Sequence, residues 1–341
     1  MAAQIEGVVE ALMKPEAYDE DVEKIELIQT HISFVFLTGK FVYKVKKPVD
    51  FGFLDFTTLE KRKFFCEEEL RVNKRLCGDM YLCVLPITKS DGEIKINGSG
   101  EVIEYAVKMK EMPQDAMMSK LLEVGRVTKV EIDHIAKMLA DFHSKAEVYM
   151  EKGKLGSLKV VSFNAIQNFD QTRHLRGTIV DAETFDFIEN KTVEFMRSNR
   201  RLFDRRLGEG RVRETHGDVH SGNIFILSPE EIYIFDAIEF NPSFTFYDVT
   251  AEVAFLAMDL DFHDRHDLAE YFVERYVEYS GDEELLKLLA FYECYRACVR
   301  AKVNGFRLAD PNIGEEGKRE AEVLTKKYFD LAYEYAKELG P

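Results

Sequence analysis

Residues 216–223 read HGDVHSGN, and this stretch decides how the whole chain is interpreted. Two short apolar runs follow it, and a second acid, Asp236, comes directly after the second run. The acid Asp218 is thus followed after five residues by the amide of Asn223, and after thirteen more by Asp236. Transfer of a phosphoryl group from a nucleotide requires a carboxylate that orients the attacking hydroxyl and oxygen ligands that hold magnesium on the phosphates. The spacing of these three residues predicts a site of that kind.

Each residue of this stretch has a candidate role. Asp218 would act as the base that orients the acceptor hydroxyl, and Asn223 and Asp236 would bind Mg²⁺ through their oxygens. The catalytic loop and the metal-binding Asp of protein kinases have the same spacing, with Arg at the position of Gly217. His216 is expected to brace the loop rather than to react.

A candidate for contacting the nucleotide phosphates is Lys44, which lies in the apolar, strand-like segment 42–45. A buried lysine requires an anionic partner. The alternative is a solvated strand face, because Lys46 alternates with Lys44 and shares its side of the strand. The partner acid is expected among residues 67–69 on the following helix. Glu69 is preferred because Leu76, two turns on, marks the same face, while Glu67 and Glu68 stay open.

The usual glycine-rich phosphate loops are missing from the sequence. No GxGxxG precedes Lys44, and the chain contains no GxxxxGK[ST] motif. The equivalent turn is residues 30–33, where the hydroxyls of Thr30 and Ser33 and nearby backbone N–H groups are candidate phosphate contacts.

Composition narrows the range of functions. The 341 residues suffice for two lobes, and the net charge of −16 argues against a nucleic-acid partner. No apolar run approaches the roughly 20 residues that a membrane span needs, so no membrane partner is expected. The five cysteines are scattered, and the first residues lack the pattern of a signal peptide, which together predict a cytoplasmic protein with reduced thiols.

The pattern of elements changes near Pro113. Before it, β-rich segments and one helix, residues 59–76, predominate, including a hairpin formed by residues 32–37 and 41–45. After it, long helices are predicted, with the catalytic loop and two short strands between them; the helical segments are 130–146, 182–207, 249–258, 267–279, 283–306 and 318–339. We therefore predict an α+β, bilobal protein-kinase-like fold. A small β-rich N-lobe, residues 1–112, would bind the nucleotide, and a larger, mainly helical C-lobe, residues 113–341, would carry the catalytic loop and the substrate site.

Several polar groups allow two interpretations. His216, Asp218 and His220 also have the spacing of zinc or iron ligands, so a metal-dependent hydrolase is an alternative, which would need further ligands downstream. The candidates for those ligands are His263, Asp264 and His266.

Other charged positions are ambiguous in the same way. Asp248 is explained by a helix N-cap or by a role in holding the catalytic loop. The arginines at 200, 201, 205 and 206 are expected to form a solvated helix end. A ladder at 292, 296, 300 and 304 could face an anionic substrate or pair with acidic helices.

Five stretches carry a resemblance to a known family: residues 30–33, 43–56, 216–223, 234–241 and 254–260. In these the chain resembles the aminoglycoside phosphotransferase family, a branch of the protein-kinase-like fold that also contains choline and fructosamine kinases. The likeness extends over nearly the whole chain. It is greatest to uncharacterised members of the family, some of which are fused to a P-loop domain.

The resemblance implies ATP- and Mg²⁺-dependent phosphorylation of a hydroxyl on a small molecule. It assigns phosphate orientation to Lys44 and Glu69, the base to Asp218, and an adenine contact through its backbone to Met112. It also assigns Asn223 and Asp236 to Mg²⁺ and supporting roles to His216, His220 and Asp248.

The segment between the second metal ligand and Asp248 is too short for a long activation loop, which favours a small substrate over a protein. Substrate choice is expected to lie in a helical insertion, residues 145–180. Three acids, Glu239, Asp259 and Asp261, could attract a polycation. The alternative function is a nucleotide-binding regulatory or partner module with little turnover.

Overall fold

The computed structural model describes residues 2–151, 153–310 and 313–340. The chain forms two compact units. The first unit contains the residues up to Met117 together with Asn223–Pro242, and the second contains Met118–Gly222 and the residues from Ser243 onward. The segment after the catalytic loop, which the sequence assigned to the helical lobe, is therefore grouped with the first unit.

The first unit is built on a six-stranded antiparallel sheet in the order β1-β2-β3-β6-β4-β5. Its strands are β1 (Glu26–Gln29), β2 (Ser33–Leu37), β3 (Phe41–Lys46), β4 (Tyr81–Ser90), β5 (Glu93–Ile96) and β6 (Glu101–Lys110). The hairpin predicted for residues 32–45 is present as β2 and β3. Asp91 and Gly92 link β4 to β5 with φ of 52° and 87°, the left-handed backbone that a two-residue hairpin turn requires.

Two helical segments complete the packing of this sheet. Helix α1 (Ala2–Leu12) and a short 3-10 helix, Pro15–Ala17, contribute to one apolar cluster with β2 and β3. Helix α2 (Leu59–Cys77) begins at Thr58, whose hydroxyl accepts a hydrogen bond from the N–H of Lys61. The buried face of α2 contacts β4 and β6. That face is not wholly apolar, because Glu69 and Asn73 lie on it, one turn apart.

A separate hairpin in the first unit carries the two candidate metal ligands. Strands β8 (Ile224–Ser228) and β9 (Glu231–Ile234) pair with Ile224 opposite Ile234. Asn223 therefore precedes the hairpin and Asp236 follows it, so both lie at its open end. The N–H of Phe235 donates to the carbonyl of Asn223 at 3.0 Å, which joins the two chain segments there.

The second unit is mainly helical. Strands β7 (Val212–Glu214) and β10 (Phe246–Asp248) form a small antiparallel pair, and β7 directly precedes the catalytic loop in the sequence. The helices from residue 118 onward are α3 (Met118–Glu123), α4 (Lys129–Lys145), α5 (Leu158–Thr172), α6 (Ala182–Ser198), α7 (Arg200–Gly208), α8 (Pro242–Thr245), α9 (Thr250–Phe262), α10 (His266–Ser280), α11 (Leu289–Arg307) and α12 (Glu315–Glu338). No helix in the described part of the chain combines the length and the apolar character that crossing a bilayer requires.

Two helix predictions were wrong in detail. The single helix predicted over residues 182–207 is two helices, because Asn199 leaves the helical conformation and its side chain donates to the carbonyl of Phe195 at 3.1 Å. An asparagine competes in this way with the helical hydrogen bonds of its own backbone. The helix predicted from residue 283 starts as a 3-10 segment, Glu283–Lys287, and the regular helix α11 begins at Leu289.

Candidate active site

In the first unit Lys44 lies at the centre of an ion-pair network. Strand β3 is flanked by β2 and β6, which keeps the stem of Lys44 in the sheet. Its ammonium nitrogen lies 2.8 Å from Oε1 of Glu69 and 2.6 Å from Oδ1 of Asp236. Of the three glutamates that the sequence left open, Glu69 is the one that contacts Lys44. Glu67 and Glu68 pair instead with basic residues of their own helix.

A second lysine takes part in the same network. The solvated-face interpretation of Lys46 was wrong, because its side chain is 1% exposed. Lys46 donates to Oε2 of Glu69 at 2.7 Å and forms a further ion pair with Glu239. Because side chains two residues apart on a strand point the same way, Glu69 receives both lysines, one on each oxygen.

The charges of this network stabilise one another. Burial alone would lower the pKa of Lys44, but Asp236 and Glu69 outweigh it and hold that pKa well above its usual range. Burial would raise the pKa of Glu69, yet the two lysines lower it to about 2. Burial raises the pKa of Glu239 despite the neighbouring Lys46. Ionised Lys44 and Glu69 are therefore the stable forms near neutral pH.

The backbone around Asp236 is held in an unusual conformation. Asp236 has φ of 63°, a left-handed value that is uncommon for a residue other than glycine. The next N–H, that of Ala237, donates to Oδ1 of Asn73 at 2.9 Å, and Nδ2 of Asn73 donates to the carbonyl of Glu69 at 2.8 Å. One buried face of α2 therefore holds both the lysine pair and the segment that carries Asp236.

The residues present fit a bound magnesium ion. The Asp236 side chain is 46% exposed, and among the described residues only Lys44 is placed on its Oδ1. Asn223 at the same end of the hairpin adds a second oxygen donor. Mg²⁺ prefers oxygen ligands from one or two protein groups and keeps several waters, which an exposed carboxylate beside an amide allows.

The predicted phosphate turn is ordered by its own hydrogen bonds. The hydroxyl of Thr30 accepts from the N–H of Ser33 at 2.9 Å, and Lys47 donates to the carbonyl of Thr30 at 2.6 Å. The hydroxyl of Ser33 is buried without a partner in the described residues. Met112 is buried, and its carbonyl accepts from the side chain of Gln114 at 3.3 Å. Nucleotide contacts by Thr30, Ser33 and Met112 stay predictions.

In the second unit three buried side chains hold the catalytic loop through its backbone. The N–H of Gly217 donates to Glu252 at 2.7 Å, and the carbonyl of Gly217 accepts from Arg296 at 3.1 Å. The N–H of Ser221 donates to Asp259 at 2.7 Å. Gly217 has φ of 89°, so glycine is favoured where protein kinases have arginine.

Asp218 lies half-buried on this loop beside His220. Its Oδ2 is 3.6 Å from Nε2 of His220, whose Nδ1 accepts from the N–H of Gly222 at 3.1 Å. Since Nδ1 is an acceptor, a neutral His220 carries its proton on Nε2, toward Asp218. Burial would raise the pKa of Asp218, but His220, Arg300 and His216 together bring it below its usual range. Asp218 is therefore a carboxylate that can accept a hydrogen bond from an alcohol.

The two loop histidines have structural partners. Nδ1 of His216 accepts from the N–H of Asp218 at 3.3 Å. Gly222 has no room for a Cβ, which would lie 2.8 Å from the ring of His220. These contacts favour bracing of the loop, as predicted for His216.

The downstream residues of the metallohydrolase alternative contact other protein groups. Nε2 of His263 lies 3.3 Å from the hydroxyl of Ser221, and His266 lies 2.7 Å from Asp261. Within residues 2–151, 153–310 and 313–340, no three His, Cys, Asp or Glu side chains are grouped as metal ligands.

Asp248 and Arg206 form a buried pair. Arg206 is fully buried, contrary to the solvated helix end that was predicted. It donates to both oxygens of Asp248, at 2.7 and 2.8 Å, and to Asp282 at 2.9 Å. Asp248 also accepts from the N–H of Thr250, the first residue of α9, at 2.9 Å, although the N-cap position itself is Val249. The neighbouring Arg205 is exposed and pairs with Glu284 at the surface.

The acids proposed to attract a polycation are engaged within the protein. Glu239 pairs with Lys46, and Asp259 accepts from the loop backbone. Asp261 accepts from the hydroxyl of Tyr335 as well as contacting His266. A polycationic ligand would have to compete with these contacts, and attraction of such a ligand by the three acids stays a prediction.

Sequence reasoning missed the side chains that support the catalytic loop. Arg296 was expected to pair with acidic helices or with a substrate, whereas it binds the carbonyls of Gly217 and Ala251. A usable signal was present in α9, where Glu252 and Asp259 interrupt an otherwise apolar run. They are seven residues apart, hence on one helical face.

Similarity to known proteins agrees with this architecture. No protein-family model matches the chain. Two uncharacterized proteins, one from Mycobacterium tuberculosis and one from Mycobacterium bovis, are 31% identical to it over 311 residues, which cover 91% of this chain and 59% of each relative. The chain therefore spans about three fifths of the length of these relatives.

Solved structures with a similar fold include three small-molecule kinases. A spectinomycin phosphotransferase in complex with ADP and spectinomycin superposes with a TM-score of 0.54 at 13% identity, covering 97% of this chain and 98% of its own. An amicoumacin kinase in complex with AMP-PNP and Ca²⁺ gives 0.56 at 10% identity, covering 97% and 94%. A choline kinase from Cryptosporidium parvum gives 0.54 at 10% identity, covering 99% and 96%. The predicted α+β, protein-kinase-like fold is confirmed by these likenesses.

Proposed function

We propose that this chain is a member of the aminoglycoside phosphotransferase family that transfers the terminal phosphoryl group of ATP to a hydroxyl of a small molecule. The observation that carries the proposal is the pairing of Lys44 with both Glu69 and Asp236. A buried lysine held by one acid, next to a second, half-exposed acid, is the arrangement that orients nucleotide phosphates beside a metal ion.

Each residue has a defined task in the proposed reaction. Lys44 binds phosphate oxygens, and Glu69 keeps its ammonium group in place. Asp236 and Asn223 would hold Mg²⁺, which supplies charge neutralisation for the transferred phosphoryl group. Asp218 orients the acceptor hydroxyl and takes its proton as the new O–P bond forms and the bond between the β- and γ-phosphates breaks, releasing ADP.

Three further observations fit a small-molecule kinase of the cytoplasm. Two of the similar solved structures contain small acceptors or nucleotides, namely spectinomycin with ADP, and AMP-PNP with Ca²⁺. The segment from Asp236 to Asp248 is short, which leaves no room for a long peptide-binding loop. All five cysteines are free thiols, which fits a cytoplasmic enzyme.

Transfer of label from γ-labelled ATP tests this function. The protein is incubated with ATP, Mg²⁺ and a small-molecule extract, and wild type is compared with Asp218→Asn. We expect a labelled product from wild type and at least a hundredfold lower yield from the variant, because the base is removed while the shape is retained. Nucleotide affinity should be similar in both.

The alternative is a nucleotide-binding regulatory module, which the missing glycine-rich loop favours. It predicts ATP binding without any labelled product, and identical results for the two proteins. That outcome would refute the kinase.

A further inference from the structure

Two arginines of helix α11 differ in how well the protein provides hydrogen-bond acceptors for their guanidinium groups. Arg296 is 6% exposed, donates to two backbone carbonyls, and lies 4.6 Å from the centre of the Phe255 ring. Arg300 follows one turn later, on the same face. Its Nε is 3.4 Å from the hydroxyl of Tyr328 and its Nη1 is 3.5 Å from Nε2 of His220, both at the outer limit of hydrogen bonding.

The contact of Arg300 with His220 is not a good hydrogen bond in chemical terms. Because Nδ1 of His220 accepts from the N–H of Gly222, its Nε2 carries the proton. Nε2–H and the guanidinium are then both donors, and neither can accept from the other. Arg300 therefore retains donors without an acceptor next to them.

No ion pair satisfies Arg300 within the described residues, although other arginines of the same unit have one. Arg206 binds Asp248, Arg275 binds Asp133, and Arg307 binds Glu320. The acids that act electrostatically on Arg300 are Asp259 and Asp218. Both already have partners, since Asp259 accepts from the N–H of Ser221 and Asp218 lies against His220.

The position of Arg300 connects it with the chemistry of the loop. Its Nη1 and the Oδ2 atom of Asp218 both lie against the same ring nitrogen of His220. A molecule whose hydroxyl contacts Asp218 would therefore lie close to the guanidinium of Arg300. A planar guanidinium with spare donors binds carboxylate or phosphate groups through two parallel hydrogen bonds.

We propose that the phosphate acceptor is an anionic molecule, and that Arg300 binds a carboxylate or phosphate group that lies close to its reactive hydroxyl. This inference rests on the proposed function and specifies its substrate class. Hydroxy acids, sugar acids and polyol phosphates have this chemistry.

The test begins with a small-molecule extract that is separated by ion exchange into anionic, neutral and cationic fractions. Each fraction is supplied to the wild-type protein with γ-labelled ATP and Mg²⁺. We expect label to enter a compound of the anionic fraction. Label only in a compound of the neutral or cationic fraction would overturn the inference while leaving the proposed function intact.

Variants of Arg300 then test its role with the labelled compound as substrate. Arg300→Gln should raise the KM for the acceptor about tenfold to hundredfold, with a smaller effect on kcat and none on nucleotide affinity. Arg300→Lys keeps the charge and should recover part of the loss. Arg307→Gln, on the same helix but paired with Glu320 at the surface, is the matched control and should behave as wild type.

Three outcomes separate the possibilities. An unchanged KM for the acceptor in folded Arg300→Gln refutes the role of Arg300. If Arg300→Gln does not fold, Arg300→Lys replaces it in the test. Because lysine cannot form two parallel hydrogen bonds to one anionic group, a wild-type KM for the acceptor in Arg300→Lys would count against bidentate binding by Arg300. Absence of label from every fraction refutes the proposed function, and the inference with it.

Discussion

The side chain of Asn73 accepts a hydrogen bond from the backbone N–H of Ala237 at 2.9 Å. This contact fixes the peptide that follows Asp236, whose φ of 63° is otherwise unfavourable. Asn73→Leu should therefore cost about 1–3 kcal/mol of folding free energy, because a buried N–H loses its acceptor. It should also raise the Mg²⁺ concentration needed for half-maximal nucleotide binding about tenfold, because Asp236 is no longer held in position.

Titration of Mg²⁺ against a fluorescent ATP analogue measures this second effect. Glu67→Gln, on the exposed face of the same helix, is the control. An unchanged Mg²⁺ requirement in Asn73→Leu would show that this hydrogen bond does not position Asp236.

Glu69 is expected to be far more important for stability than its two neighbours in sequence. Glu69→Gln leaves two buried lysines with one carboxylate fewer and should destabilise the fold by about 3–5 kcal/mol. Glu68→Gln removes only a surface pair with Arg71 and should change stability by less than about 1 kcal/mol. Urea denaturation compares the three proteins. Equal stabilities would contradict the network described for Lys44 and Lys46.

The contribution of Glu69 to stability should depend on pH in a defined direction. The pKa of Glu69 is about 2 in the folded protein, below the ordinary value of 4.5 that applies to the unfolded chain. Its contribution to stability is therefore fully present above about pH 4.5 and is lost as the pH falls toward 2. The difference in unfolding free energy between wild type and Glu69→Gln should shrink over that interval. A difference that stays constant with pH would mean that Glu69 titrates alike in both states.

Gly217 should not tolerate a side chain. With φ of 89°, Gly217→Ala forces a left-handed backbone on alanine at a cost of about 1–3 kcal/mol and displaces the loop that carries Asp218. Gly208→Ala is the matched control, because Gly208 lies at the end of α7 with open space around it and an ordinary φ. Phosphoryl transfer and thermal unfolding are measured for both. Wild-type transfer by Gly217→Ala would contradict the role given to this backbone.

Two adjacent arginines should differ strongly in how much their replacement destabilises the fold. Arg206→Met leaves Asp248 and Asp282 buried without their common partner and should cost about 3–5 kcal/mol. Arg205→Met removes a surface pair with Glu284 and should cost less than about 1 kcal/mol. Denaturant unfolding of the two variants measures both costs. Similar free energies of unfolding would mean that the buried cluster of Arg206, Asp248 and Asp282 adds little to stability.

Local patterns in the sequence were sufficient for most of the elements. The period of two in β2 and β3 and the helical period in α2 arise from backbone geometry, so they are visible without tertiary structure. The choice of Glu69 over Glu67 and Glu68 rested on the helical spacing to Leu76, which places both on one buried face. The catalytic loop was recognisable because its acid, amide and glycines stand at short, fixed spacings.

The partners of the buried charges could not be predicted from local sequence patterns. Lys46 contacts Glu239, 193 residues away, and Arg206 contacts Asp248 and Asp282, 42 and 76 residues away. A lysine on a strand or an arginine near a helix end looks the same in sequence whether it is solvated or buried, because local spacing contains no information on distant acids. The sequence by itself thus determined the elements and the candidate chemistry of Lys44, Asp218 and Asp236. Only the tertiary structure decided which charges are buried, because that depends on which distant segments pack together and exclude water.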